Sequence, residues 1–255
     1  VIIAYLGSTV GRYTISLEQD RIQMTMSPDG GFSRPTTLLR ATNLTKAYPI
    51  SVDSLPSHDV LDAGEGSHNG VRRDEYGNFV SDIYFAYPFY VKNLSEIPVD
   101  YGVHLKLKTS ASTIIDAVPV AEYVRIRFYE NRVIDGITTH NYTNYAKRTN
   151  LVVYNDNDEQ EFRECVSITN LDKTCSAGNP ENSVRASEFY ALDSIAQYTY
   201  YQLPSQEVMR YTIVIWLEGN DPDCYGVTPQ GASMEFSMNI ISLQGEQNSS
   251  ISVSE

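Results

Sequence analysis

Apolar and polar residues alternate with period two along much of the chain, the mark of strands that turn one face to a core. Tyr13, Ile15 and Leu17 fall on one face with Thr14, Ser16 and Glu18 opposite, and Ile22, Met24 and Met26 repeat the pattern, which predicts a pair of half-buried strands. Leu38, Leu39, Ala41 and Leu44 follow a turn that contains Pro35. The run 83–91 is the most strongly β-prone, but Pro88 within it cannot donate a ladder hydrogen bond, which predicts an edge strand or a bulge at Pro88. Val99, Tyr101, Val103, Leu105 and Leu107 alternate with Asp100, Gly102, His104, Lys106 and Lys108, a strand with one wet face. The turn over 93–98 predicts that this strand is the hairpin partner of the preceding run. Tyr123, Arg125 and Arg127 alternate with Val124, Ile126 and Phe128, and further strands are predicted over 188–191, 198–203, 208–217 and 234–241. Residues 51–78 are rich in Gly, Asp, Ser and His without periodicity, which reads as an elaborated loop. About ten strands with few helical signals predict an all-β protein, an antiparallel jelly-roll-like β-sandwich with long loops and little helix.

A length of 255 residues suits one such sandwich, placed at 1–243, with a polar tail over 244–255. The first residues, Val1 to Leu6, are apolar and stop at Gly7. This run is too short to span a bilayer. Residues 1–10 read either as the trimmed end of an export signal or membrane anchor or as an ordinary first strand; membrane contact would then come only through an anchor upstream of Val1. Lys plus Arg total 19 against 32 for Asp plus Glu, a net charge of −13. That balance argues against nucleic acid and anionic membranes as partners. Nineteen Tyr stand against 8 Phe and one Trp, a bias toward a ring that packs while its hydroxyl stays wet or bonded. Cross-strand packing explains it, and so would a sugar-binding groove.

Candidate chemistry is sparse. No nucleophile elbow, Walker loop or dinucleotide fingerprint is present, and the histidines His58, His68, His104 and His140 lack zinc spacing, so no catalytic residue is assigned and no enzyme activity is expected. The segment Glu218-Gly219-Asn220-Asp221-Pro222-Asp223-Cys224 ends a strongly apolar strand with three carboxylates and an amide. Hard cations take such oxygen clusters, so Glu218, Asp221 and Asp223 are the candidate ligands of a calcium ion, with a plain turn as the other reading. The run 155–161 is a second acidic cluster, read as a solvated loop. Cys165, Cys175 and Cys224 leave an odd thiol within the chain. In an oxidising compartment Cys165 with Cys175 is the simplest bridge, though all three pairings stay open. Asn43, Asn93, Asn141 and Asn248 match the glycosylation acceptor pattern.

Three stretches carry a resemblance: Ala4-Tyr5-Leu6-Gly7-Ser8-Thr9-Val10-Gly11-Arg12-Tyr13-Thr14-Ile15-Ser16-Leu17, Tyr84-Phe85-Ala86-Tyr87-Pro88-Phe89-Tyr90-Val91-Lys92-Asn93, and Val214-Ile215-Trp216-Leu217-Glu218-Gly219-Asn220-Asp221-Pro222-Asp223-Cys224. Together they resemble secreted surface proteins of Gram-positive bacteria and mollicutes and, more distantly, are similar to the TasA/camelysin family. The resemblance implies an extracellular, cell-surface β-sandwich, and in the TasA branch fibre formation in a biofilm matrix by passing an N-terminal strand to the next subunit. The chain departs from that pattern in the loop 51–78, its cysteines and the segment 155–180, and no zinc motif maps onto it to support camelysin's protease activity. The expectation is therefore a structural or adhesive protein that associates with itself or with other surface proteins through residues 1–17. The alternative is a carbohydrate-binding or carbohydrate-active sandwich, with a glycan as partner.

Overall fold

The computed structural model describes residues 10–18, 23–44, 55, 72–73, 79–80, 84–109, 123–134, 137–147, 149–154, 160–165, 187–191, 193–218 and 233–243. Its elements are all strands: β1 (Val10–Glu18), β2 (Met24–Ser27), β3 (Leu38–Leu44), β4 (Arg72–Arg73), β5 (Phe79–Val80), β6 (Tyr84–Asn93), β7 (Val99–Thr109), β8 (Val124–Ile134), β9 (Ile137–Ala146), β10 (Thr149–Tyr154), β11 (Gln160–Cys165), β12 (Ser187–Glu188), β13 (Ser194–Leu203), β14 (Val208–Leu217) and β15 (Ser233–Leu243). Among the described residues no helix is long and apolar enough to cross a membrane.

Two sheets make the sandwich. One has five strands in the order β13-β7-β15-β1-β3, the other six in the order β12-β9-β8-β14-β6-β2. Ile15, Leu17, Tyr101, Val103, Leu105, Phe236 and Met238 from the first meet Met24, Met26, Phe89, Ile126, Phe128, Tyr211 and Ile213 from the second in one core. Each of these side chains contributes about 1.5–3 kcal/mol when fully withdrawn from water. The all-β sandwich read from the alternation is thus the fold. Most pairings are antiparallel, but β1 runs parallel to β15 and β12 parallel to β9.

Several local expectations need correction. β6 is neither an edge nor bulged: its register against β14 runs unbroken through Pro88, which pairs with Thr212. The strand on its other side, β2, ends opposite Tyr90, so a missing N–H directed that way breaks no ladder bond. β6 and β7 are also not hairpin partners, because they lie in different sheets. The turn between them is a corner of the sandwich, organised by the fully buried Asn93. Its Nδ2 donates to the carbonyls of Ile97 (2.8 Å), Leu203 (2.9 Å) and Pro204 (3.0 Å), while its Oδ1 accepts from the Ser95 N–H (2.8 Å). Turn-forming residues look alike in a hairpin and at such a corner, so the sequence does not separate the two. Within the stretch read as a loop lies β4, which pairs with β5 just after it.

β14 shows why a strictly alternating pattern was absent there. From Tyr211 to Leu217 it is buried on both faces, the condition under which a strand reads as a continuous apolar run. Its core face carries Tyr211, Ile213 and Ile215. Its outward face carries Thr212, Val214 and Trp216.

Candidate functional site

Of the three candidate calcium ligands, Glu218 is described and Asp221 and Asp223 lie outside the described residues. Glu218 follows directly on β14, where its N–H donates to the Tyr123 carbonyl at 2.9 Å. It is fully buried, and its Oε2 accepts a hydrogen bond from Trp216 Nε1 at 3.0 Å. Among the described residues no group of three His, Cys, Asp or Glu side chains converges as a metal site. His104, half-buried on β7, sits 3.0 Å from Ser194 Oγ through Nε2; burial first, then Lys106, holds its pKa below the ordinary histidine value. His58, His68, Cys175 and Cys224 lie outside the described residues, and Cys165 ends β11.

Ionisable chemistry gathers instead between the sheets. Tyr101 on β7 and Tyr211 on β14 share a hydroxyl–hydroxyl hydrogen bond across the core. Tyr201 on β13 stacks on Tyr101 with ring centroids 5.3 Å apart and meets Tyr211 edge-on at 6.1 Å. Its hydroxyl donates to Oε1 of Glu130, which reaches in from β8. Desolvation raises the Glu130 pKa, and the bond from Tyr201 offsets part of that rise. Burial, then the Glu130 charge, pushes the Tyr201 phenol far above the ordinary value, and burial likewise raises Tyr145 and Tyr211. Beside this chain, Val103, Leu105, Phe128, Tyr145, Ala196, Tyr201 and Met238 line a small cleft between the sheets. Such a cluster holds the two sheets in register. The phenols stay protonated at neutral pH, which suits hydrogen bonding rather than proton transfer.

A second cluster lies on the outward face of the six-stranded sheet. The ladder sets Arg127 beside Asn144 on β9 and beside Val214 on β14, with Tyr129 opposite Tyr142 and Arg125 opposite Trp216. Paired residues share a face, so all these side chains point the same way. Arg127 Nε donates to Asn144 Oδ1 at 2.7 Å and Nη1 to the Tyr129 hydroxyl at 3.2 Å. Its guanidinium carbon lies 4.8 Å from the Tyr142 ring centroid and 5.8 Å from those of Tyr129 and Trp216, within cation–π range. Tyr142 is 55% exposed. Along the same face the register places the basic residues Arg125, Arg127, Arg210 and Lys92 and the acidic residues Glu188 and Glu218, with Arg125 and Glu218 buried.

The fold defines this protein as a two-sheet all-β sandwich. No protein-family model, no curated protein and no solved structure matches the chain.

Sequence reasoning placed Tyr123, Arg125 and Arg127 on one face of a strand but did not see the aromatic frame. One of its three rings, Tyr142, comes from β9, a strand whose sequence Ile-Thr-Thr-His-Asn-Tyr-Thr-Asn-Tyr-Ala lacks apolar alternation. The available signal was Asp135-Gly136 between two β-prone runs, a strong hairpin dipeptide.

Proposed function

We propose that this chain is an extracellular structural protein of the cell surface that assembles with further copies by exchanging its N-terminal strand. The observation that supports this reading is the place of β1. It is an interior strand, in parallel register with the C-terminal β15 from Val10↔Ser233 to Glu18↔Ile241 and antiparallel to β3 on its other side. Ile15 and Leu17 on it fill the core. Withdrawing β1 would leave β15 with an unpaired edge and two holes beneath it, a template for an incoming strand. The same strand from a second copy would restore each pairing and each core contact, so concentration and the linkers decide between the closed monomer and an assembly.

Light scattering across a concentration series tests this on the full chain and on a form lacking residues 1–17. Assembly that grows with concentration and vanishes in the truncated form is the expected result. A full-length chain that stays monomeric at every concentration would overturn the proposal.

Calcium on Glu218, Asp221 and Asp223 is a subsidiary proposal. A cation there would draw the Glu218 carboxylate from the Trp216 indole, so added calcium should raise the melting temperature and shift Trp216 emission, and Asp221→Ala should abolish both. Absence of heat on calorimetric titration with calcium would remove it.

A further inference from the structure

The guanidinium of Arg127 is held as a ligand-binding group is held. Two of its donors are fixed, Nε by Asn144 and Nη1 by Tyr129, which locks the plane and leaves the Nη1–Nη2 end of the fork. That end is the geometry which grips a carboxylate with two parallel hydrogen bonds. Among the described side chains no carboxylate is within bonding distance of Arg127. The rings of Tyr129, Tyr142 and Trp216 surround the charge and lower the local dielectric, which strengthens any bond the fork makes. Immediately beside it Tyr142 offers an exposed ring.

We propose that Arg127 and Tyr142 form a binding subsite for a carboxylate-bearing pyranose, a sugar of the uronic-acid class. In such a sugar the carboxylate is one bond from the ring. A carboxylate seated on the Arg127 fork therefore carries the sugar's C–H face to an aromatic only 4.8 Å from the guanidinium. An inorganic anion would use the fork and leave Tyr142 idle. The half-buried basic side chains Arg210 and Lys92 on the same face favour a chain of such acids over a neutral glycan, against the repulsion of the acidic molecule as a whole. β8 and β9 lie in the sheet that does not contain β1, so the site is independent of strand exchange and its failure leaves that reading untouched.

Trp216 is the one tryptophan in the sequence and lies 5.8 Å from the Arg127 guanidinium, so its emission reports the site directly. The test titrates the full chain with a trigalacturonate, with the neutral galactose trimer, with acetate and with an Asp-rich peptide, all at one ionic strength. Trigalacturonate should give a saturable change, with none from the neutral trimer or acetate. Arg127→Lys and Tyr142→Ala should each weaken it by about ten-fold or more; Tyr142→Ala, at a largely exposed position, leaves the protein folded, with a cooperative melt that checks this. An equal response to acetate or to the peptide would overturn the sugar assignment, and so would a trigalacturonate response that neither substitution weakens.

Discussion

The hydroxyls of Tyr101 and Tyr211 are bonded to each other through the middle of the sandwich, one from each sheet, with both rings fully buried. A phenol in that position stabilises the fold only while it has a partner. Tyr101→Phe leaves the Tyr211 hydroxyl without the bond that satisfies it and should cost about 1–3 kcal/mol in urea unfolding. Adding Tyr211→Phe removes the orphaned group, so the double variant should be more stable than the sum of the single changes. Strict additivity would mean that the pair does not interact.

Glu130 makes stability depend on pH. Its folded pKa is raised by burial, so the fold favours the protonated carboxyl. That contribution is complete below the unfolded pKa and is lost as pH rises through the higher folded value. Glu130→Gln keeps an acceptor for Tyr201 and removes the buried charge. It should therefore stabilise the protein at about pH 7.5 and have little effect at about pH 3.5, below the ordinary glutamate range. Denaturant midpoints at the two pH values check the sign; a variant destabilised most at the higher pH would contradict it.

Thr212 lies on the outward face of β14 between Tyr129 and Pro88, and its hydroxyl is buried without a hydrogen-bond partner. Pro88, opposite it, has no N–H to offer. Thr212→Val has nearly the same shape and no unsatisfied group, and should raise stability by about 1 kcal/mol. Thermal melts of the two proteins decide this.

Asn93 closes the corner between β6 and β7 with bonds to Ile97, Leu203, Pro204 and Ser95. Asn93→Ala should cost about 2–4 kcal/mol, because several buried backbone groups lose their partner at once. Its side-chain nitrogen is committed and fully buried, so of the four acceptor patterns in the sequence this one should stay unmodified when the folded protein meets a glycosylating system, as peptide mass mapping would read.

The sandwich was legible because strands with one buried face announce themselves: the five apolar positions from Val99 to Leu107 all enter the core, as do Ile15, Leu17, Met24 and Met26. Legibility failed where one signal serves two structures. The turn after Asn93 reads as a hairpin but turns a corner, and Pro88 reads as an edge but sits inside the sheet, where its neighbour β2 has already ended. Among the described residues Tyr87, Tyr101, Tyr123 and Tyr211 fill the core, while Tyr142 and Tyr190 are exposed. The aromatic frame of Arg127 was hidden for another reason. Its members are far apart in sequence, and only the register of β8 against β9 and β14 unites them.

The most direct test of strand exchange is a lock on β1. Ser16 and Asn239 face each other in the β1–β15 pairing, with Ser16 Oγ 3.1 Å from Asn239 Oδ1, so the double change Ser16→Cys and Asn239→Cys places two thiols side by side within one copy. Light scattering of the oxidised and reduced forms then reads the result. The account predicts concentration-dependent assembly for the parent and for the reduced form, and a monomer at every concentration once the strand is locked. Assembly by the oxidised, internally linked chain to the same extent as the parent would contradict it.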